Sequence, residues 1–431
     1  MSLYGARRPT TPKADSLAAE STVFEHAFAS SPDDAPSIAS LMTGRYPPEH
    51  GLLLTRRVRD AVQTLAESLK KAGYDTHAIT SEVQMSAASG LQQGFDQVDI
   101  VDPSTVDDLD GGAAEMSRRA IAWIRGSWPR KNPFFLTLVY SSPSLPYHPP
   151  DSARFRFIDP IVPHDRVDVV ADYWLPFAAR YSARAAEISD REMVMLRDLY
   201  DAEIYYADDR IGEVVSSLRE MKLLDSTLLV ETASRGEMLG EDHLLADTSS
   251  LRDANLRVPL LMRFPGHVKG GLRVAGLAQD VDVMPTMLDL LGVARPETVS
   301  RSATSLAPLD GPARRSTAVS TAVRPGPASK FDLIVSGRDD RYRIIVSSAG
   351  VEALFDFQAD PDGAQNLLRT SPDAAERMLK KLGDWDAALS AVPGMPALPA
   401  PGQPPPGIAP GGPPPAGSAG PPAPKPPRSK P

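Results

Sequence analysis

The sequence predicts a layered α/β core with a largely parallel mixed sheet, followed by a small antiparallel subdomain. In the long N-terminal part, short apolar runs alternate with stretches of helical hydrophobic spacing, which is typical of a sheet covered by helices. The C-terminal part instead holds closely spaced strand-like runs and ends in a proline-rich tail. We therefore predict a core over residues 1–300, a connecting segment over 301–330, a subdomain over 331–390 and a tail over 391–431.

The elements of the core follow from its apolar patterns. Residues 62–72 and 189–221 have apolar side chains at helical spacing, and we predict a helix over each range. The nearly continuous apolar run 134–140 predicts a strand that is buried on both faces. Further strands are predicted at 76–80, 227–231 and 258–264.

The subdomain and the tail differ sharply in composition. Strands are predicted at 331–335, 342–347 and 353–357, with a turn at 337–340 and a final helix at 372–389. The tail is rich in proline, glycine and alanine, and it cannot bury enough apolar surface to offset the entropy of ordering. We predict that it is disordered or an extended polyproline segment.

Charge and cysteine content exclude several classes of protein. The net charge is −9, and no basic stripe is present, so we expect no nucleic-acid partner. The chain has no cysteine, which excludes disulfides, thiolate metal sites and a nucleophile made from cysteine.

The sequence does not assign a compartment. The first eight residues lack the apolar run of a signal peptide, and no apolar stretch is long enough to span a membrane. The default expectation is cytoplasmic, unless the true N-terminus lies upstream of Met1.

One segment carries most of the functional information. Residues 34–51 read DAPSIASLMTGRYPPEHG. This segment resembles the nucleophile-helix signature of the sulfatases, a branch of the alkaline phosphatase superfamily. That signature reads Cys or Ser, any residue, Pro, Ser, Arg, and continues as a helix that ends in Thr-Gly-Arg. Shorter matches follow in order over residues 4–367, among them GFD at 94–96, RVPL at 257–260 and LFD at 354–356.

The resemblance implies an alkaline phosphatase-like α/β/α fold and hydrolysis of sulfate esters on a bound divalent cation, commonly Ca²⁺. The nucleophile position holds Asp34, and the arginine of the signature is replaced by Ile38. Ser37, Arg45 and His50 match the frame. We therefore expect a catalytically degenerate member of the family.

Other positions that the resemblance assigns to the site are also substituted. The metal-ligand motif Ser-Asp-His-Gly-Glu reads ASRGE at 233–237, so Ser234 and Arg235 stand at ligand positions. The substrate-binding positions correspond to Ser81, Ser142 and Ser144. Since a cationic guanidinium repels a divalent cation, we predict no metal site and no cofactor.

Several residues have two interpretations. Asp34 is either an unusual nucleophile or metal ligand, or the N-cap of a helix that begins near Pro36, and we favour the cap. Arg235 is either an anion-binding residue or a solvated or ion-paired one, and we favour the latter. The local cluster of Glu237, Glu241, Asp242 and His243 is either a site for a stray cation or a solvated loop, and we favour the loop. His50 either packs a turn or is catalytic, and we favour the packing role.

Three hypotheses about function remain. The first is a pseudoenzyme that acts by binding or assembly, and the second is an active sulfuric or phosphoric ester hydrolase with non-standard residues. The third is a fragment with a miscalled start, because the family's first strand, which ends in two metal-binding aspartates, would precede Met1. Without that strand, we expect an uncovered sheet edge, and a protein partner would bind there or through the tail.

Overall fold

The computed structural model describes residues 1–105, 110–126, 129, 131–246, 248–325, 331–361 and 363–388, and the predicted tail lies outside them. The strands are β1 Thr22–Phe28, β2 Asp75–Thr80, β3 Gln97–Ile100, β4 Phe134–Val139, β5 Leu229–Thr232, β6 Arg257–Val258, β7 Leu260–Arg263, β8 Leu272–Gln279, β9 Ala318–Pro325, β10 Phe331–Arg338, β11 Tyr342–Ser347 and β12 Gly350–Asp356. The α-helices are α1 Pro12–Ala18, α2 Asp34–Thr43, α3 Pro47–His50, α4 Leu52–Thr55, α5 Leu65–Lys71, α6 Ala113–Gly126, α7 Asp151–Arg154, α8 His164–Ala171, α9 Leu175–Ser182, α10 Asp190–Glu220, α11 Asp253–Leu256, α12 Val283–Leu290 and α13 Pro372–Ala388.

The core contains a parallel sheet and a mixed sheet. β2 lies between β3 and β4 and is parallel to both. In the mixed sheet the order is β5-β7-β1-β6, with β8 parallel to β1. β7 is antiparallel to both β1 and β5, so β5 runs in the same direction as β1.

Helices cover both faces of these sheets. One face packs against α6 and α10, through buried side chains such as Met116 and Leu218. The other face packs against α2, α5 and α12, with Ala39, Leu65 and Met284 in the main cluster. This is the predicted layered α/β/α arrangement. Among the described helices, none has the length and apolar content needed to cross a membrane.

The antiparallel sheet has the order β12-β11-β10-β9 and packs against α13. Its strand β9 begins inside the predicted connecting segment 301–330, which is therefore partly a strand. The Thr321 N–H donates to the Ser30 carbonyl (2.8 Å), and the Ser320 hydroxyl donates to the Ala29 carbonyl (2.6 Å). These bonds attach the antiparallel sheet to the core.

Two predicted helices are confirmed with altered starts, and both start at a capping box. α5 begins at Leu65 because the Thr64 hydroxyl accepts from the Glu67 N–H (3.1 Å) and the Glu67 carboxylate accepts from the Thr64 N–H (2.8 Å). α10 begins after Ser189, which forms the same pair of bonds with Glu192. Such pairs satisfy N–H groups that have no partner within the helix.

The prediction that the run 134–140 is buried on both faces is wrong. Every residue of β4 is only half-buried, although the strand lies in the sheet layer. The reason is its second edge, which pairs with none of the described strands. The predicted strand 258–264 also differs, since Pro259 separates β6 from β7.

Candidate active site

The site forms where the chain leaves β1 and β5. Asp34 is the first residue of α2, and Ser234 and Arg235 follow β5 by two and three residues. The Ser234 hydroxyl donates to one Asp34 carboxylate oxygen at 2.5 Å, and the Arg235 Nε donates to the other at 3.0 Å. Both oxygens of Asp34 are therefore engaged by residues from the end of β5.

The guanidinium of Arg235 reaches a second carboxylate. Its Nη1 donates to the Gly236 carbonyl (2.9 Å) and lies 3.2 Å from an oxygen of Glu237. The Glu237 side chain is 3% exposed and the Arg235 side chain 12% exposed. A single guanidinium thus lies between two carboxylates. We call Asp34, Ser234, Arg235 and Glu237 the Arg235 cluster.

The charged groups of the Arg235 cluster shift one another's pKa values. Burial alone lowers the pKa of Arg235, but Glu237 and Asp34 outweigh it, so the pKa lies above its ordinary value and the side chain stays charged. Burial raises the pKa of Glu237 to about 7, against the opposing effect of Arg235. Burial also raises the pKa of Asp33 and of Glu82, and Asp34 adds to both shifts.

The interpretation of Asp34 as a helix cap is wrong. The helix begins at Asp34 itself, so the N-cap residue is Asp33, whose side chain makes no capping hydrogen bond. The carboxylate of Asp34 is held by Ser234 and Arg235 instead. The ion-paired interpretation of Arg235 is the one that the geometry matches.

His50 is the buried last residue of α3, and its contacts are those of a neutral imidazole. Its Nδ1 accepts from the Leu52 N–H at 3.2 Å, which assigns the proton to Nε2, and Nε2 lies 3.1 Å from the Pro36 carbonyl. Burial lowers the pKa of His50 to about 3. These contacts match the predicted packing role.

Ser37 and Arg45 also bond to backbone rather than to the cluster. The Ser37 hydroxyl donates to the Ser31 carbonyl at 2.8 Å, which ties the first turn of α2 to the loop before it. The Arg45 Nε donates to the Thr298 carbonyl and joins the end of the helix to a distant loop. Both contacts therefore have a structural role, since they hold the two ends of α2 to neighbouring loops.

The predicted substrate-binding serines lie at the ends of β2 and β4. The Ser81 hydroxyl donates to the Ser141 hydroxyl (3.1 Å) and accepts from the Ser141 N–H (3.0 Å). The Ser142 hydroxyl lies so close to Gly111 that a Cβ there would come within 2.7 Å of it. In the described part of the chain, no hydrogen bond joins Ser81, Ser142 or Ser144 to the Arg235 cluster.

The burial of two carboxylates, those of Glu203 and Glu237, was not predicted from the sequence. Glu203 of α10 accepts from the Ser144 N–H (3.1 Å) and the His148 N–H (2.8 Å), and burial raises its pKa to about 8. It therefore fixes the loop after β4. Glu237 was interpreted as part of a solvated loop, which is wrong because its side chain is buried against Arg235. The Arg-x-Glu spacing directly after a predicted strand could have indicated that Glu237 pairs with Arg235.

A divalent cation does not fit this site. A Ca²⁺ ion takes six to eight oxygen ligands, usually with several carboxylates among them. Both oxygens of Asp34 already accept hydrogen bonds, and the charged guanidinium of Arg235 lies against Glu237 as well. Across the described residues, no group of three or more His, Cys, Asp or Glu side chains is placed to hold a metal ion.

Comparison with known proteins agrees with the fold. The family described as Sulfatase matches residues 1–293, and the family described as N-sulphoglucosamine sulphohydrolase, C-terminal, matches residues 240–385. A phosphonate monoester hydrolase of Agrobacterium radiobacter has a similar structure, with a TM-score of 0.74, 20% identity, and coverage of 90% of this chain and 92% of that one.

Two curated relatives are similar in sequence. The iduronate 2-sulfatase of Mus musculus is 25% identical over 314 residues, which cover 61% of this chain and 57% of the relative. The choline-sulfatase of Rhizobium meliloti is 25% identical over 418 residues, which cover 83% of this chain and 77% of the relative. The chain thus spans little more than half the length of the mouse protein. With a family match over most of its length, the chain belongs to the sulfatase family.

Proposed function

We propose that this sulfatase-family protein does not hydrolyse sulfate esters through a bound metal, and acts by binding or assembly. The observation that supports the proposal is the guanidinium of Arg235 between the carboxylates of Asp34 and Glu237. The resemblance to hydrolytic sulfatases implies that their side chains at these positions would hold a divalent cation. Arg235 therefore supplies the positive charge of the cluster without offering any coordination site.

Ester hydrolysis of the kind typical of the family requires a metal ion that coordinates oxygen atoms, which a guanidinium cannot do. A divalent cation lowers the pKa of a bound hydroxyl and binds the oxygens of the transferring group. A guanidinium has only N–H donors and cannot activate a nucleophile by coordination. The group at the nucleophile position is a carboxylate that is already engaged by two donors. Both departures remove transition-state stabilisation from ester hydrolysis.

The surroundings also disfavour an anionic substrate. Asp33 and Glu82 lie within electrostatic reach of Asp34 and Arg235, and Arg56 lies within reach of Asp33. The cluster therefore has more acidic than basic groups around it, and a sulfate ester would meet repulsion there. A neutral or cationic ligand fits this local charge better than the substrate class of the family.

Hydrolysis assays test the proposal directly. The protein would be incubated with aryl sulfates and aryl phosphates in the presence of Ca²⁺, Mg²⁺, Mn²⁺ or Zn²⁺, with Asp34→Ala as the matched control. We expect no turnover above the rate of the control variant. Robust metal-dependent turnover that Asp34→Ala abolishes would overturn the proposal.

The second candidate is an ester hydrolase that uses non-standard residues. It is favoured by the named sulfatase relatives and by Glu237, whose pKa near 7 suits a general acid or base. This candidate predicts turnover whose pH profile loses one ionisation in Glu237→Gln. Turnover that is absent, or that keeps its profile in this variant, contradicts the assignment.

A further inference from the structure

The helices α8 and α9 have a packed side and an exposed side. On the packed side, Val170 and Ala178 are buried in one cluster with Leu196 of α10. Where α8 leads into α9, Trp174 and Leu175 follow each other in the chain and are 60% and 58% exposed. Large apolar side chains that lie side by side on a surface are typical of an interaction site.

Two further aromatic rings adjoin this exposed pair. The ring of Tyr173 stacks on that of Phe177, with their centroids 4.1 Å apart. The Tyr173 hydroxyl donates to the Glu192 carboxylate at 3.0 Å, which holds the stacked rings against α10. We call Tyr173, Trp174, Leu175 and Phe177 the Trp174 surface. It combines an exposed indole with a stacked pair whose position is fixed.

Carboxylates border the Trp174 surface. Asp165, Asp168 and Asp172 recur at helical spacing along the exposed side of α8. Asp168 and Asp172 each have a basic neighbour, yet their side chains stay 55% and 75% exposed. The arginine of α8 is Arg166, which lies toward Glu192, and that of α9 is Arg180, in its last turn. The aromatic surface therefore has a rim with more acidic than basic groups.

The C-terminal residues 389–431 lie outside the described residues, and their composition has two parts. Residues 389–420 carry no charged side chain and are rich in proline, glycine and alanine. We call them the spacer. Residues 421–431 read PPAPKPPRSKP and contain every basic side chain of the tail, those of Lys425, Arg428 and Lys430. We call them the basic end, because an uncharged spacer precedes this basic, proline-rich segment.

We propose that the Trp174 surface is a binding site for a basic polyproline segment, and that the basic end of the same chain occupies it. A polyproline helix is preformed, and its rings pack on exposed aromatic side chains at low entropic cost. The basic side chains of the segment meet the carboxylates at the rim, so the charges are complementary. The Trp174 surface shares no residue with the Arg235 cluster, and the proposal therefore does not depend on the proposed function.

The spacer is long enough for this contact. Extended as a polyproline helix, residues 389–420 span about 100 Å. A folded body of this size has a radius of gyration of about 21 Å, so the path over half of its surface is about 85 Å. The tail starts after Ala388, where α13 ends. The basic end can therefore reach any face of the folded body, including the Trp174 surface.

Attachment to the same chain favours the basic end over other occupants. A flexible spacer gives an attached segment an effective concentration of about 1 mM. A Kd of about 0.1 mM for the separate segment would then leave roughly nine-tenths of the chains docked. A second copy of the chain offers the same segment at a far lower concentration. An anionic membrane surface fits less well, because the carboxylates of the rim repel it.

Fluorine NMR of the full chain, labelled with 5-fluorotryptophan, tests the contact at Trp174 itself. Trp174→Phe assigns its resonance among those of the four tryptophans. The readout is the change of this resonance between H₂O and D₂O, which grows with the exposure of the ring. Glycine substitutions in the basic end should increase that change by about 1.5-fold or more, because they remove the polyproline helix. This variant carries Pro421→Gly, Pro422→Gly, Pro424→Gly, Pro426→Gly and Pro427→Gly.

A matched control places the same number of glycines in the spacer, as Pro404→Gly, Pro405→Gly, Pro406→Gly, Pro413→Gly and Pro414→Gly. The Trp174 resonance of this control should equal that of the native chain. Replacing Lys425, Arg428 and Lys430 with glutamine should raise the exposure of Trp174 by a smaller amount, because the rings still pack. An unchanged resonance in the glycine variant of the basic end overturns the proposal, as does an equal change in the spacer control.

Dilution and a free peptide identify the occupant. A contact within one chain should not change on about tenfold dilution, whereas loss of the docked signal would show pairing between chains and contradict the assignment. A synthetic peptide of residues 421–431, added to the glycine variant of the basic end, should shift the Trp174 resonance saturably with a Kd of about 0.1–1 mM. Absence of binding, or equal binding of a peptide with glycine in place of proline, would refute recognition of polyproline.

Discussion

Two of the arginine–carboxylate clusters among the described residues, those of Arg315 and Arg235, differ in how completely they are bonded. Arg315 donates to both carboxylate oxygens of Asp282 and also to the Tyr46 hydroxyl, and its side chain is 5% exposed. Arg235 makes one hydrogen bond to Asp34, whose side chain is 24% exposed. The Arg315 cluster joins the antiparallel sheet to the core, while the Arg235 cluster lies at the candidate active site.

This difference in bonding distinguishes an ion pair that stabilises the fold, at Arg315, from the ion pair of the candidate site, at Arg235. The bidentate geometry of Arg315 and Asp282 fixes two elements in one arrangement. The Arg235 cluster instead balances charge at the place to which the resemblance assigns the chemistry. The fold is that of the family, and the proposed loss of activity concerns only this place, where strand ends meet. Four substitutions test whether the two clusters differ in this way.

The largest effect is expected for Arg315→Met. The substitution leaves the buried Asp282 carboxylate without its cation, so we expect a loss of about 3–5 kcal/mol in the free energy of unfolding. Urea denaturation measures it. The matched control is Arg273→Met, which removes a more exposed pair with Glu25 and should cost under about 1 kcal/mol. Similar losses in both variants would show that Arg315 is not a buried anchor.

Arg235→Ala should have a smaller effect on stability and a new effect of metal. The loss should be about 1–3 kcal/mol, because Glu237 can take up a proton when its cation is removed. The carboxylates of Asp34 and Glu237 then lie without a cation, and Ca²⁺ should raise the melting temperature of this variant but not that of the native protein. Arg273→Ala serves as the control. An unchanged melting temperature of Arg235→Ala in Ca²⁺ would contradict the idea that the guanidinium replaces a cation.

The pH dependence of stability should come largely from buried carboxylates. Burial raises the pKa of Glu203 to about 8 and that of Glu237 to about 7, so the folded state holds protons that the unfolded state has lost. Their contribution is present below the unfolded pKa of about 4.3 and is lost as pH rises through the folded pKa values. Between about pH 5 and 8 we expect stability to fall by more than about 1 kcal/mol.

Glu203→Gln tests how much of this fall in stability with rising pH comes from Glu203. The variant cannot ionise, so its stability should fall less steeply between the same two pH values, as measured by urea denaturation at each pH. A slope equal to that of the native protein would mean that Glu203 is ionised in the folded state.

His50→Gln should have the smallest effect. The residue is buried and neutral, and its loss removes one or two hydrogen bonds, so we expect about 1 kcal/mol of destabilisation. The slope of stability against pH above about pH 5 should not change, because the pKa of His50 lies near 3. A changed slope in that range would place a charge on His50.

The sequence predicted the fold well and the site only in part. Apolar spacing located β2 and α10, and residues 34–51 located the loop that carries Asp34. The partners of Asp34 lie 200 and 201 residues away, so no local pattern could reveal that its carboxylate bonds to Ser234 and Arg235. Burial of Glu203 also depends on a distant loop, because its partners are backbone N–H groups of residues 144 and 148.

The strands show a similar limit. The apolar run of β4 correctly predicted a core strand, but its burial depends on a neighbouring strand rather than on its own side chains. β9 was not predicted, because its segment is rich in serine, alanine and arginine and takes its extended conformation through pairing with β10. Local preference cannot report such tertiary pairing.

In the proposed function, the guanidinium of Arg235 holds the place of a divalent cation. Calorimetric titration of the native protein with Ca²⁺ near neutral pH, repeated with Mg²⁺, Mn²⁺ and Zn²⁺, decides whether a cation binds there as well. We predict no saturable binding of any of the four ions at the Arg235 cluster. Stoichiometric binding of one of them that disappears in Asp34→Asn would contradict the claim.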